Sequence, residues 1–286
     1  MTTNIELAGH KWTAYNDDSL GIQRGEIWEP HIRNLALALL KPGDVVLDVG
    51  AHIGWHSLMF ADCVGPTGAV HCFEPLPDNL YLLFRNVFQN NLENRISIHA
   101  LALSDREGKT TICNATFDNK QNRGDSFISR NPERTAEEDM ATQDKIGKGG
   151  HLCDLNKRRA TVARLDDLAI PGPIAFMKID VQGTEAQVLR GAAETIKRDR
   201  PLMVIEVEAP CLAMFGDSPS DLFAFVRSLG YYIFYVEHEY PCDHLAVPIE
   251  KMNEFAKRYE QNIHPHRESN PLNNNVENGV TGKVVF

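Results

Sequence analysis

The stretch "LDVGAHIG", residues 47–54, predicts the first strand, turn and helix of the fold. An apolar run ends in Asp48, and Gly50 and Gly54 follow with a spacing of four. Glycines placed directly after a buried strand let the backbone pass close to a ligand and turn into a helix. A dinucleotide site needs the spacing GxGxxG, because the pyrophosphate requires an additional close approach. The GxxxG spacing, with the bulky His52 between the glycines, instead favours a nucleoside ligand without a pyrophosphate.

Strand-like and helical segments alternate on both sides of this stretch. Short continuous apolar runs are typical of strands buried on both faces of a parallel sheet, and the segments between them have helical periodicity. The alternation predicts an α/β fold with a mostly parallel sheet and helices on both faces, which binds ligands beyond the carboxyl ends of its strands. The predicted strands are "VVLDVG", "AVHCFEP", "RISIHALALS", a short antiparallel "KTTIC", "AFMKIDV", "PLMVIEVE" and "YYIFYV"; the predicted helices are "PHIRNLALALL", the segment after Gly54, "PDNLYLLFRNVFQNN", "TEAQVLRGAAETIKR" and "SPSDLFAFVRSLG".

Composition limits the possible partners. The chain has 286 residues, 43% of them hydrophobic, which suffices for one large α/β domain or two small ones. A net charge of −10 disfavours a dedicated nucleic-acid binder. Six cysteines without a CxxC pair indicate a reducing compartment. The sequence does not begin like a signal peptide and has no apolar run near the length of a membrane span, so we expect a soluble, cytoplasmic protein. The sequence does not indicate the oligomeric state.

Patterning divides the chain into three parts. Residues 1–25 are a polar, weakly patterned N-terminal extension, residues 26–259 form the predicted functional domain, and residues 260–286 form a C-terminal tail. Residues 114–160 are a polar, charged insertion, too long for an ordinary connection. Such loops are usually functional lids or mobile insertions, and a solvated surface excursion is an equally weighted alternative.

The second predicted strand supplies another part of a nucleoside site. It ends at Glu74, and an acidic residue there can accept hydrogen bonds from both ribose hydroxyls. The separation of Glu74 from the glycine turn suits one strand–helix–strand unit. The two features together are more specific than either alone.

Several ordered blocks, which cover roughly residues 26–208, carry a further signal. They are "LKPGDVVLDVGAHIGWHSL", "VHCFEPLPDNL", "ALALSDREGKTTI", "ARLDDL", "FMKIDVQGTEAQVLRGA" and "RPLMVIEVE". In this order they resemble the FkbM family of class I S-adenosyl-L-methionine (SAM) methyltransferases. The resemblance implies a Rossmann-like class I fold with a mostly parallel seven-stranded sheet, SAM as cofactor, and O-methylation of a hydroxyl on a saccharide or small natural product.

The same resemblance assigns residues to the cofactor. The family often has Asn at the position of His52 and Glu at the position of Gln182, which puts a role of position 182 as base or metal ligand in doubt. The implied cofactor-binding residues are Asp48, Gly50 and Gly54 on the methionine side with Ala51 and His52 in the same turn, Glu74 with Pro75 at the ribose, Asn79 as a brace, Ala102, Leu103 and Ser104 beside the adenine, and Glu29 ahead of the first helix.

The acceptor side is predicted from two later strands. Lys178 and Asp180 share one face of their strand by period two, and so do Glu206 and Glu208. Because a buried charge needs a partner, we expect Lys178 to pair with one of these carboxylates. Asp180 is the first candidate for the base that takes the acceptor's proton, and Glu208 is the second. Open alternatives are a purely structural Lys178–Glu206 pair and a divalent cation held by the same carboxylates.

No metal-binding residue is assigned. His52 and His56 lack a completing ligand set, and "HEYPCDH" (238–244) and "HPH" (264–266) are interpreted as polar loops.

The competing functions are a nucleic-acid or protein methyltransferase and a SAM-binding scaffold without turnover. A base methyltransferase is disfavoured because "IDVQG" lacks the proline and aromatic residue that stack on a flipped base. A small-molecule or glycan hydroxyl acceptor is therefore the expected partner.

Overall fold

The central sheet is built from the apolar runs of the sequence. The computed structural model describes residues 1–16, 20–117, 120–128, 158–236, 242–262 and 281–284. The strands are β1 (Thr2–Leu7), β2 (His10–Tyr15), β3 (Val45–Val49), β4 (Ala69–Phe73), β5 (Ile96–His99), β6 (Ala102–Leu103), β7 (Gly108–Phe117), β8 (Lys120–Ile128), β9 (Arg158–Ala163), β10 (Ile174–Ile179), β11 (Leu202–Glu206), β12 (Tyr231–Val236), β13 (Asp243–Pro248) and β14 (Gly282–Val284).

The helices lie between these strands, mostly where the helical periodicity predicts them. Within the described ranges, no helix combines the length and apolar composition that a membrane crossing requires. The helices are α1 (Pro30–Leu39), α2 (Trp55–Val64), α3 (Pro77–Gln89), α4 (Glu185–Gly191), α5 (Ala193–Asp199), α6 (Ala209–Met214), α7 (Pro219–Ser228) and α8 (Met252–Asn262).

The sheet has the strand order β14-β12-β13-β11-β10-β3-β4-β5. All its neighbours are parallel except β13, which is antiparallel to β11 and β12. The predicted seven-stranded, mostly parallel sheet is therefore confirmed, with β14 as an additional edge strand. The order reverses between β3 and β10, so the carboxyl ends of these two strands form the switch point where such sheets bind ligands.

Two apolar clusters cover the two faces of the sheet. The first joins α1, α2, α3 and α8 to one face, with Phe176 and Val204 among its buried strand residues. The second joins α4, α5 and α7 to the other face, around Met177 and Met203. Because successive strand residues point to opposite faces, Lys178 lies on the same face as Phe176. This ionisable side chain is therefore buried beneath the first helix layer.

A second, smaller sheet has the order β6-β9-β7-β8. The segment "RISIHALALS", predicted as one strand, is divided between the sheets: β5 belongs to the central one and β6 pairs with β9. The strand predicted at "KTTIC" lies within β7, which is antiparallel to β8 and β9. The first part of the 114–160 insertion is thus a hairpin, and residues 129–157 lie outside the described residues.

Three further segments differ from the sequence predictions. The helix predicted over "TEAQVLRGAAETIKR" is interrupted at Ala192, and a Cβ at Gly191 would collide with the carbonyl oxygen of Ser104. Part of the predicted polar loop "HEYPCDH" is the start of the buried strand β13. The N-terminal extension contains the β1–β2 hairpin. The domain limits at 25 and 259 stay predictions, and α8 continues to Asn262.

Candidate functional site

The turn after β3 has backbone conformations that favour glycine. Gly50 has φ 88° and Gly54 has φ 92°. A Cβ at Gly50 would collide with the carbonyl oxygen of Asp180, and one at Gly54 would lie 2.6 Å from Leu83 Cδ1. At both positions the missing side chain lets other parts of the chain approach, and Gly50 brings the end of β3 against the end of β10. That these glycines also admit a ligand stays a prediction.

Asp48 lies at the end of β3 beneath this turn. Its side chain is buried, and Oδ2 accepts a 2.6 Å hydrogen bond from Ser57 Oγ. Its Oδ1 is buried and accepts no hydrogen bond from the described protein atoms. Burial raises the pKa of Asp48, although the nearby Lys178 acts in the opposite direction. A donor from a bound ligand would satisfy the remaining carboxylate oxygen.

Glu74 closes the loop after β4. Its Oε2 accepts a 2.9 Å hydrogen bond from the His52 N–H, and its Oε1 accepts a 2.7 Å bond from the Leu76 N–H. The side chain of Asn79 also hydrogen-bonds Glu74. Burial raises the pKa of Glu74 to about 7, against the lowering effect of these donors. The carboxylate thus connects the two loops that the sequence assigns to the methionine and ribose ends of one ligand.

His52 occupies the left-handed region of backbone conformation, with φ 51°. Asn and His adopt this region more readily than most residues that carry a Cβ. The family's frequent Asn and this chain's His are therefore both compatible with the same turn. Its side chain is half-buried.

The residues predicted to flank the adenine follow β5. Ala102 and Leu103 form β6, and the Ser104 N–H donates a 2.9 Å hydrogen bond to the Ala163 carbonyl. Ser104 Oγ lies 3.3 Å from Gln187 Oε1. Backbone pairing with the second sheet thus fixes this segment where the chain leaves the central sheet.

Lys178 is the centre of a polar network on the side where the sequence predicts the acceptor. Its side chain is 3% exposed, and Nζ lies 2.7 Å from Asp180 Oδ2 and 3.9 Å from Glu29 Oε2. Burial alone would lower the pKa of Lys178, but the charges of Asp180, Glu29, Asp48 and Asp243 outweigh burial and raise it well above the usual value. The expected pairing of Lys178 with a carboxylate is confirmed. The partner is Asp180, not the alternative Glu206.

Asp180 and Glu206 end neighbouring strands and form one hydrogen-bonded group. Gln182 Nε2 donates to Asp180 Oδ1 at 3.0 Å and to Glu206 Oε2 at 2.8 Å. Burial would raise the pKa of Asp180, but Lys178 and the hydrogen bonds hold it below its usual value. Burial and the charge of Asp180 raise the pKa of Glu206 well above its usual range. The pair therefore favours an ionised Asp180 beside a protonated Glu206.

Glu208 is not on the strand where the sequence placed it. β11 ends at Glu206, and Glu208 precedes α6. It accepts a hydrogen bond from Cys211 Sγ at 2.9 Å, and Cys242 Sγ lies 3.5 Å from Glu206 Oε1. Ligand-type atoms of Glu206, Glu208 and Cys242 all lie within 4.8 Å of one another. Glu208 is thus near the end of the sheet, and each glutamate accepts a hydrogen bond from a thiol.

Glu29 reaches this network from the loop before α1. It has φ 43°, and its Oε2 lies 3.3 Å from His56 Nε2. Burial raises the pKa of Glu29 to about 8, against the lowering effect of Lys178. Burial lowers the pKa of His56 well below its usual value. Glu29 therefore lies near Lys178. Its role at the cofactor stays a prediction.

The sequence analysis missed a buried pair, His31 and Asp243. His31 Nε2 lies 2.7 Å from Asp243 Oδ2, and both side chains are under 10% exposed. The two residues are 212 positions apart, so no local motif connects them. Asp243 is also opposite Glu206 in the β11–β13 register. A charged residue at the start of an otherwise apolar run, "DHLAVP", was the available signal.

The structure brings most of the candidate residues to one edge of the central sheet. The turn after β3 and the loop after β4 form the end that is predicted to bind the cofactor, here called the cofactor end. The tips of β10 and β11 form the end that is predicted to bind the acceptor, here called the acceptor end. The two ends touch where Gly50 meets the Asp180 carbonyl. Ala102, Leu103 and Ser104 are farther along the same edge, beyond β5.

Comparison with known proteins identifies the family. Residues 48–233, more than half of the chain, match the family model described as the methyltransferase FkbM domain. The 31-O-demethyl-FK506 methyltransferase FkbM of Streptomyces tacrolimicus is 30% identical over 169 residues, 54% of this chain and 62% of that protein. A protein-L-isoaspartate O-methyltransferase of Methanothrix thermoacetophila is 34% identical over 84 residues, 28% of this chain and 40% of that protein.

A solved structure also aligns with this chain. The methyltransferase FkbM of Methylobacillus flagellatus has a TM-score of 0.46 and 16% identity, over 73% of this chain and 47% of that one. This chain spans less than two thirds of the length of each of these three proteins. The family model nevertheless covers the chain from the end of β3 through β11, which builds both ends of the site. This chain belongs to the FkbM methyltransferase family.

Proposed function

We propose that this chain is a SAM-dependent O-methyltransferase that acts on a hydroxyl group of a saccharide or small natural product. The observation that carries the proposal is the contact between two chemically different ends of one site. The β3–β4 end offers glycine-bounded turns and two buried carboxylates, while the β10–β11 end offers an ion-paired carboxylate. The Streptomyces relative is named a 31-O-demethyl-FK506 methyltransferase, a name that refers to methylation at an oxygen.

The residues at the β3–β4 end fit a positively charged nucleoside. Asp48 has a buried oxygen that lacks a protein donor, and Glu74 is a buried acid held between two loops. We assign the methionine part of SAM to the turn of Asp48, Gly50, Ala51, His52 and Gly54. Glu74 with Pro75 would hold the ribose, and the segment from Ala102 to Ser104 would flank the adenine. Bound SAM would supply a methyl group already activated on a sulfonium.

At the β10–β11 end, the chain aligns the acceptor and accepts its proton. A carboxylate oxygen can accept the hydrogen bond of an acceptor hydroxyl and so hold its oxygen in line with the methyl carbon. Lys178 keeps Asp180 ionised at neutral pH, which makes Asp180 our first candidate for this role. The same ion pair weakens Asp180 as a base. We therefore propose that it orients the hydroxyl first and takes the proton only as the C–O bond forms and the C–S bond breaks.

The second candidate, Glu208, has a different environment. It is half-buried at the start of α6 and accepts a hydrogen bond from Cys211. Its carboxylate lies beside Glu206 and Cys242 at the tip of β11. Glu208 is therefore proposed to contact the acceptor and stays our second candidate for the base.

The test separates binding from turnover. SAM binding is measured by calorimetry, and methyl release is measured over a panel of sugars, nucleotide sugars, lipids and peptides. Asp180→Asn keeps the size of the side chain, so SAM affinity should stay within about threefold, while turnover should fall about 100-fold or more, the range of a lost general base. Near-normal turnover of this variant would remove Asp180 from the mechanism. SAM binding without methyl transfer to any acceptor would favour a scaffold.

A further inference from the structure

Gln182 lies in the loop that follows β10, between the two carboxylates of the acceptor end. Its backbone is in the left-handed region, with φ 58°. The side-chain nitrogen of Gln182, Nε2, donates hydrogen bonds to both Asp180 Oδ1, at 3.0 Å, and Glu206 Oε2, at 2.8 Å. The side chain therefore bridges the tips of two neighbouring strands.

The loop around Gln182 is held by its own contacts. The N–H groups of Val181 and Gly183 both donate to Glu185 Oε1, at 3.1 and 3.0 Å. Gly183 has φ 108°, and a Cβ there would lie 2.5 Å from the Cys211 carbonyl oxygen. The backbone on both sides of Gln182 is thus fixed, and this places the amide over the two carboxylates.

An uncharged amide suits this position chemically. Asp180 and Glu206 would repel each other if both were ionised. Glu206 is buried and the Asp180 side chain is only 22% exposed, so each needs a hydrogen-bond donor. The Gln182 amide nitrogen offers two hydrogens, one for each carboxyl group, without adding a charge. Lys178 binds the other oxygen of Asp180 at 2.7 Å. Asp180 is therefore held at both oxygens.

We propose that Gln182 is a positioning residue: by bridging Asp180 and Glu206, it fixes the carboxylate that orients the acceptor hydroxyl. This inference rests on the proposed function and deepens it. Gln182 acts through Asp180 and is not itself assigned a contact with the acceptor. Glu206, which the sequence left as an alternative ion-pair partner, becomes the second member of the bridged pair.

The hydrogen bonds from Gln182 also affect the pH at which Asp180 and Glu206 bind and release a proton. A glutamate at position 182 would place a third acidic group beside Asp180 and Glu206. Like charges favour the protonated form, so the pair would hold its proton to a higher pH. The titratable and charged groups that act on Asp180 or are affected by its charge are Lys178, Glu206, Glu29, Asp48, His56, Glu185 and Cys242.

Two substitutions test the bridge at constant side-chain length. Gln182→Met removes the donor without adding a charge, and Gln182→Glu replaces the donor by an acid. Both retain a Cβ, so the backbone strain at φ 58° is matched. For Gln182→Met, kcat should fall about 10- to 100-fold, as expected for the loss of a hydrogen bond to a charged group, while SAM affinity stays unchanged. For Gln182→Glu, the acid limb of the kcat/KM profile should move up by about one pH unit or more, so that activity recovers at higher pH.

The charge control is Asn34→Asp, which adds one negative charge on the exposed side of α1. It should leave the pH profile unchanged. A wild-type profile and kcat for Gln182→Glu would overturn the positioning role, and so would an equal loss of SAM affinity and kcat in both variants. Failure of the wild-type chain to transfer a methyl group to any acceptor would instead overturn the proposed function. Circular dichroism of each variant shows whether the fold is retained.

Discussion

Replacing Lys178 by Met removes the cation from the middle of a buried acidic network. The ammonium group lies 2.7 Å from Asp180 and 3.9 Å from Glu29. With an effective dielectric constant of about 20, the separation from Asp180 corresponds to an attraction of about 6 kcal/mol. Glu29 adds little at neutral pH, because its pKa is raised to about 8 and it is mostly protonated there. Desolvation of the buried ammonium offsets much of this. Loss of one member of a buried pair typically costs about 3–5 kcal/mol, which we expect for Lys178→Met at neutral pH.

The pH dependence distinguishes this electrostatic cost from lost packing. In the native protein the folded-state pKa of Asp180 is lowered, so its contribution is present above the unfolded pKa and is lost only as the pH falls through the folded value. The pKa of Lys178 is raised, so its contribution is present below the unfolded pKa and is lost only at high pH. The pair's contribution is therefore nearly constant between pH 5.5 and 7.5. Without Lys178, burial raises the pKa of Asp180, and its ionisation opposes folding as the pH rises.

The assay is urea denaturation at pH 7.5 and pH 5.5, with Lys197→Met as the matched control. Lys197 Nζ lies 2.8 Å from Glu194, but both side chains are more than half exposed, so this substitution should change the free energy of unfolding by less than about 0.5 kcal/mol. The deficit of Lys178→Met should shrink by about 1–3 kcal/mol at pH 5.5. A deficit below about 1 kcal/mol, or one equal at both pH values, would refute the reasoning.

Three further predictions follow from other contacts. Gly50→Ala should lower the free energy of unfolding by about 2–4 kcal/mol, because its Cβ would collide with the Asp180 carbonyl at φ 88°; a loss under about 1 kcal/mol in urea denaturation would contradict this. Asn86→Ala should lower the free energy of unfolding by about 2–3 kcal/mol in the same assay, because Asn86 Oδ1 accepts the Thr13 N–H at 2.8 Å and Asn86 Nδ2 donates to the Thr13 carbonyl. An unchanged free energy of unfolding would mean that the β1–β2 hairpin packs on α3 without these hydrogen bonds. SAM affinity should strengthen as the pH rises through about 7, where Glu74 ionises and can accept the ribose hydroxyls. Calorimetry between pH 6 and 8.5 measures this pH dependence, and Glu74→Gln should flatten it. A flat profile of the native protein would contradict the assignment of Glu74 to the ribose.

The sequence predicted the central fold because its strands carry clear local signals. Continuous apolar runs and the helices between them were sufficient for β3, β4, β10 and β11, and for their parallel order. The segments that were predicted wrongly depend on contacts between residues that are far apart in the sequence. The β13 segment begins with Asp243, whose charge argued for a loop, but His31 pairs with it from 212 positions away. Helical periodicity did not reveal the interruption at Ala192, because the close approach of Gly191 to the Ser104 carbonyl is a tertiary contact.

Most residues of the candidate site could be predicted from the sequence, but the contacts between them could be predicted only in part. Asp180, Lys178 and Glu206 lie at adjoining strand tips, as the period-two pattern indicated. That pattern also extended β11 to Glu208, whereas the strand ends two residues earlier. The role of Gln182 could not be predicted, because it depends on a loop that turns back over both strands.

The contact between Gly50 and the Asp180 carbonyl has a consequence for how such a protein can diversify. The two halves of the site are aligned by main-chain atoms, and the turn and the strand tip touch without an intervening side chain. In the proposed site, side chains at the acceptor end can therefore change without moving the turn after β3 relative to the tip of β10. Substitutions or insertions there would change which acceptor is bound, while the backbone would keep the two ends aligned for the proposed transfer.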